Sequence, residues 1–270
     1  LLSTIPGRHF LRNLYLRRSL LWQLVARDFR QRYVGSAAGW MWSLIQPLVL
    51  LISYTFIFQI CLHQKLDAGE VTTNYPMFLF AGMLPWLLFS ESVTRSASSM
   101  VDQSNLLTKT MFPAEMLPIA IFLSTMISHA LAILLAIAGA LLFLHHISFS
   151  LLYLPLLVLP VALFTVGLAW IVAGFQVYLR DTVQVLTVVL TFWFWVTPVF
   201  ISERRYDAKL HFLLVLNPLS YPVRAYRQML LGNFQPHLPE LAWSLTLCSA
   251  VFLLGALLFR YLKRGFADVL

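Results

Sequence analysis

Charge is what this chain has least of. Only 11% of its 270 residues are Asp, Glu, Lys or Arg while 60% are hydrophobic, more apolar surface than a water-soluble globule can bury, so the fold class is an integral membrane protein. No polar stretch remains that is long enough for a separate soluble domain. Cysteine is equally scarce: Cys61 and Cys248 stand far apart with no ligand spacing around either, which excludes a thiolate metal site and gives no reason for a disulfide. His145-His146 has no carboxylate or thiol in register, so no metal is expected. Enzyme signatures are missing too. There is no G-x-x-x-x-G-K-[ST] phosphate loop, no H-E-x-x-H, no G-x-S-x-G and no clustered Asp pair. No carboxylate lies deep inside a clean apolar run, which argues against a proton- or sodium-coupled carrier. If this chain moves something, another chain supplies the energy. A short leader with a small-residue cleavage site is not evident at the start either.

What is present is a series of apolar runs. They cover 39–62, 75–100, 117–144, 151–178, 183–201 and 241–259, each near or above the ~20 residues a spanning helix needs. The expectation is one all-α permease domain of six transmembrane helices with both termini on the same side. The second run weakens after Phe89 into SESVTRSASSMVDQ, small and polar residues that pack against other helices or line a cavity. Basic residues orient the bundle. With the N-terminus in the cytoplasm, 13 of the 19 Lys and Arg are cytoplasmic, including seven Arg among the first 32 residues, so both termini are expected inside. The net charge of +8 then reports membrane orientation and anionic headgroups, with no nucleic-acid partner implied.

Two segments break the pattern. Over 8–34, Leu14, Leu21, Leu24, Val25 and Phe29 recur at helical spacing among Arg12, Arg17, Arg18, Arg27, Arg30 and Arg32, a basic amphipathic helix suited to the membrane interface. It either anchors only or also docks a partner. Between spans five and six, residues 204–232 are too apolar for a solvated loop and too broken for one span. Short apolar stretches flank Asn217-Pro218-Leu219-Ser220-Tyr221-Pro222, where the residue before each Pro is expected to leave helical geometry. Two re-entrant half-helices fit this pattern, and broken backbone at membrane depth is tolerated where it is buried in protein or lines a water-filled path. A static cap of amphipathic helices is the alternative. Arg224 and Arg227, three residues apart, share a face of the second half-helix.

RDFRQRYVGSAAGWMWSLIQPLVLL from Arg27, AGMLPWLLFSESVTRSASSMVDQSNLLTKTMFPAEMLPIA from Ala81, RDTVQVLTVVLTFWFWVTPVFI from Arg180 and NPLSYPVRAYRQMLLG from Asn217 together resemble the permease subunit of polysaccharide-exporting ABC transporters, which carry O-antigen, capsule or teichoic acid polymers. The resemblance runs in order from about Leu20 to Leu262. It implies a homodimer in the bacterial inner membrane, bound to two copies of a separate cytoplasmic ATPase that holds the ATP and Mg, with no cofactor in this chain. It also implies a polymer on a polyprenyl pyrophosphate or similar lipid, moved outward through a channel at the dimer interface. Leu106, Leu107, Thr108, Lys109, Met111 and Phe112 resemble the family's ATPase-coupling helix. Asn217, Pro218, Tyr221, Pro222, Arg224 and Arg227 resemble its outer gate. Arg27, Arg30 and Arg32 stand just before the first span, where an anionic lipid headgroup in the inner leaflet would meet them.

Aromatic residues give the remaining substrate clue. Tyr54, Phe58, Trp86, Phe89, Trp193, Trp195 and Phe200 supply flat apolar faces on which sugar rings can stack and slide. Trp40 and Trp42 fit better as interface anchors, and the run from Phe192 turns around the whole helix. A small-molecule, drug or lipid exporter of the same superfamily remains the alternative. A membrane-embedded glycosyltransferase would need a carboxylate pair or metal ligands that are not visible.

Overall fold

The computed structural model describes residues 16–109, 112–145, 148–232 and 234–269, and regular structure among them is helical throughout. Helix α1 (Arg18–Tyr33) buries Leu24 and Val25 and leaves Trp22 exposed, so its apolar residues are not confined to one face. It lies along α5; residues 8–15 of the expected helix fall outside the described residues. Helix α2 (Trp42–Thr55) follows a 3-10 turn at Gly39–Met41 and passes into a π turn at Phe56–Cys61. Helix α3 (Tyr75–Asp102) starts where the Asn74 side chain accepts from the Met77 N–H at 3.1 Å and Pro76 occupies the first turn, where a missing N–H does no harm. Its polar tail stays helical, and Ser92, Ser96 and Ser99 are buried against neighbours.

Helix α4 (Ser104–Lys109) is short. Helix α5 (Met116–Leu144) stops at His145, whose φ of 54° is left-handed. A 3-10 turn at Phe149–Tyr153 leads into α6 (Leu154–Tyr178), and α7 (Thr182–Val196) follows. Then come α8 (His211–Leu216), α9 (Ser220–Leu231), α10 (Leu238–Leu262) and α11 (Phe266–Val269).

Among the described residues, five helical stretches are long and apolar enough to cross a membrane: Gly39–Cys61, Tyr75–Asp102, Met116–Leu144, Phe149–Tyr178 and Leu238–Gly265. The run expected at 183–201 is shorter than foreseen, because α7 ends at Val196 and Thr197, with ψ 134°, is extended ahead of Pro198. Proline disfavours helical geometry at the residue before it. Fifteen residues of α-helix rise about 22 Å, short of the ~30 Å hydrocarbon core. The second proline of the turn behaves differently from expectation: Tyr221 is helical, because Pro222 falls in the first turn of α9, where its N–H would be unbonded in any case.

Helix α3 is the hub, packed on α5, α6 and α9, and α6 lies along α10. The α6–α10 contact depends on small residues. A Cβ on Gly255 would land on the Gly167 carbonyl, and one on Gly167 would strike the Phe252 backbone, so the two backbones approach as closely as glycine allows. Trp170 fills the neighbouring space against Phe252, with ring centroids 5.1 Å apart. The described residues thus have a basic end, holding α1, α4 and α11, and a hairpin end, holding 62–74, 197–232 and 234–237.

Candidate functional site

At the basic end, arginines of α1 and α3 and carboxylates of the same helices interlock. Arg32 reaches Glu91 at 2.5 Å and donates to Ser128 at 3.1 Å. Arg95 pairs with Asp28 at 2.7 Å and donates to Thr125 at 3.1 Å, with Glu91 4.0 Å away. Arg27 donates to Gln103 at 2.5 Å. Of the three arginines expected to meet a headgroup, Arg27 and Arg32 are therefore held by the protein, and Arg30 is exposed. A cavity of about 510 Å³ opens between these helices, bordered by Arg27, Asp28, Arg95, Asp102, Gln103 and Leu106.

Of the expected coupling residues, Leu106 borders that cavity. Leu106 and Leu107 are half-buried on α4, and Leu107 and Phe112 pack against the main core rather than projecting as a free knob. Met111 and the side chains of Thr108 and Lys109 fall outside the described residues.

All seven aromatic residues singled out in the sequence meet in one cluster. Tyr54 lies 4.9 Å from Phe200, Phe58 4.8 Å from Phe200, Trp195 5.0 Å from Phe200, and Phe89 5.6 Å from Trp193. Trp86 joins through Phe194, a ring the sequence reading passed over, at 5.2 Å. Phe164 of α6 completes the inner side, 5.1 Å from Phe89. These separations suit edge-to-face and offset pairs. Phe89, Trp86 and Phe200 are buried within the chain, whereas Trp195 is 55% exposed and Phe192 is 73% exposed on another face of α7.

The hairpin end is bolted on three sides. Asn217 Oδ1 accepts from Trp193 Nε1 at 3.1 Å and from the Leu219 N–H at 3.0 Å, and Asn217 Nδ2 donates to Thr197 at 3.1 Å, tying the turn to α7. Pro218, next in that turn, borders a cavity of about 380 Å³ with Tyr221. Arg224 pairs with Glu203 at 2.6 Å and with Glu240. Arg227 does not share that setting. It is 4% exposed, donates to the carbonyls of Phe78 at 3.1 Å and Val199 at 2.5 Å, and lies over the Phe78 ring at 3.7 Å, so it points into the bundle while Arg224 stays near the surface. On the other side, Arg205 grips Asp67 at 2.7 Å and donates to the Lys65 carbonyl at 2.8 Å, and Ser202 donates to Glu70. Burial pushes the Glu203 carboxyl above its ordinary range with Arg224 acting against it, whereas the Arg205 hydrogen bond holds Asp67 below.

Sequence reasoning missed the buried His129–Tyr226 contact at 3.1 Å between α5 and α9, and the place of Glu91 among the arginines. The signal for Glu91 was there, an acid in the interior of a spanning helix, where a charge calls for a partner.

These features define a multi-pass helical membrane protein with polar groups gathered at both ends and a ring cluster joining four of its helices. The chain belongs to the ABC-2 type transporter family, whose profile matches residues 19–231. It is 31% identical over 231 residues to the O-antigen export system permease protein RfbA of Myxococcus xanthus, covering 85% of each chain. Two proteins of that name from Klebsiella pneumoniae are each 26% identical, over 93% of this chain and 95% of theirs.

Proposed function

We propose that this chain is the membrane subunit of an ATP-driven exporter that moves a lipid-linked polysaccharide, O-antigen-like, capsular or teichoic acid, from the cytoplasm to the outer side of the bacterial inner membrane. The observation that carries the reading is the likeness to O-antigen export permeases along nearly the whole of both chains. The chain works as a homodimer of six-span subunits with both termini inside and the channel between copies, and two ATPases bind the ATP and Mg. Thr182–Val196 serves as the fifth span, α1 as the interface helix and α8–α9 as the outer gate. The spanning window of Gly39–Cys61 is 0% buried within one chain, which leaves that helix open to a second copy. Arg30, exposed beside the bound Arg27 and Arg32, meets the lipid pyrophosphate.

The test is energetic. Reconstituted with its ATPase, the chain with Lys109→Glu should lose polymer-stimulated hydrolysis and surface polymer while still inserting and folding; Leu107→Asp should lose both as well, with a lower unfolding midpoint because Leu107 packs against the core. Normal export in both variants would remove the coupling assignment. Arg30→Gln is the cleaner probe of headgroup contact than Arg32→Gln, since the latter also breaks the Glu91 pair.

A further inference from the structure

The cavity of about 380 Å³ at the hairpin end lies between the segment ahead of α8, the α8–α9 turn and the start of α10, within the size range of small-molecule sites. Glu203, Asn217, Ser220, Tyr221, Arg224 and Trp243 border it, with Glu240 beside them. Three oxygens on these residues, Glu203 Oε1, Ser220 Oγ and the Tyr221 hydroxyl, are buried with no hydrogen-bond partner in the chain. Buried polar atoms are normally paired, and three exceptions around one cavity point to a ligand that pairs them. The Trp243 indole spends its N–H on the Val215 carbonyl at 2.9 Å, and the side chain is 47% exposed, so what it still offers is a flat apolar face.

Charge narrows the ligand. Arg224 is already paired with both Glu203 and Glu240, so two carboxylates face one guanidinium and the cavity repels phosphate or another anion. One free carboxylate oxygen accepts hydroxyl or amine protons, two free hydroxyls donate or accept, and an indole face takes C–H groups. We propose that this cavity is a subsite for one neutral or amine-bearing sugar residue, separate from the ring cluster of α2, α3, α6 and α7. The proposal rests on the polysaccharide reading and adds to it a place where the glycan is gripped on the hairpin side. There it would hold an emerging residue against backward sliding.

The chain, copurified with its ATPase in phosphatidylglycerol nanodiscs, is titrated by calorimetry with the oligosaccharide that mild acid releases from the producing cells' surface polymer. Ser220→Ala with Tyr221→Phe removes only the two unpaired oxygens, so the melting temperature should hold or rise while affinity falls about tenfold. Trp243→Ala should weaken binding to a similar degree. Unchanged affinity in both variants, or no binding to the unsubstituted chain, overturns the subsite. So does a binding heat that appears on adding phosphatidylethanolamine without glycan and that the double variant abolishes, which assigns the cavity to a zwitterionic headgroup. The polysaccharide reading fails separately, if cells lacking this chain still display polymer.

Discussion

Two helices of spanning length, Gly39–Cys61 and Tyr75–Asp102, share a membrane and little else. The first has the higher mean hydropathy of the two and buries 0% of its spanning window inside the chain; the second, the more polar, buries 78%. In water the order would be reversed. In a bilayer the lipid is as apolar as leucine, so hydropathy does not draw a helix inward, and small or hydrogen-bonding residues such as Ser92, Ser96 and Ser99 do. Hydropathy reports that a helix crosses, and its small polar residues report where it stands in the bundle.

The largest effect that separates the two helices is a cavity. Phe89→Ala in α3 empties a fully buried ring site and should destabilise by about 3–5 kcal/mol, read as a lower unfolding midpoint in detergent. Phe56→Ala, at an exposed ring, should stay within about 0.5 kcal/mol. If Phe56→Ala lowers the midpoint as far as Phe89→Ala does, the contrast between hub and periphery is wrong. A dimer lost with folding retained would place span one at the interface between copies.

Overpacking comes next. Gly255→Leu drives a side chain into the Gly167 carbonyl and should cost about 1–3 kcal/mol or more, visible as loss of the monodisperse peak in size exclusion, whereas Val49→Leu on span one should leave the peak in place. Smaller still is Arg95→Leu, which strands Asp28 at a partly exposed pair. Screening keeps that loss to about 1 kcal/mol, and a partial rescue by Asp28→Asn would show that the stranded charge is the cause.

The smallest effect is a pH dependence with opposite signs at two carboxylates. Because the Glu203 value is raised, its stabilising share is full below the ordinary carboxylate range and is lost as pH rises through the folded value. Asp67, lowered by Arg205, contributes above the ordinary value and loses that share as pH falls through its folded one. The unfolding midpoint in detergent should therefore rise with acid through the Glu203 window and fall again below it. Glu203→Gln should flatten the first arm and Asp67→Asn the second.

Long apolar runs made the helices legible in the sequence, and Asn217-Pro218 made the break between α8 and α9 legible, because both signals are local. The early end of α7 was legible too, in Thr197-Pro198, but a run of apolar residues past it outweighed the proline. Other features depend on distant partners. Arg227 reads as sharing a gate face with Arg224 until Phe78 and Val199 supply carbonyls, and Leu107 and Phe112 resemble coupling-helix residues until the core takes them in. The seven aromatics were found by residue type, yet Phe194 was passed over because only packing selects one ring from a run of four.

The grip of Arg205 on Asp67 joins residues 138 positions apart. During synthesis Asp67 leaves the ribosome long before Arg205 exists, so for most of that interval the 62–74 loop has no clasp. Contacts so distant along the chain form late. A nascent chain arrested before residue 205 therefore carries the 62–74 loop with its carboxylate still waiting for the guanidinium that clasps it.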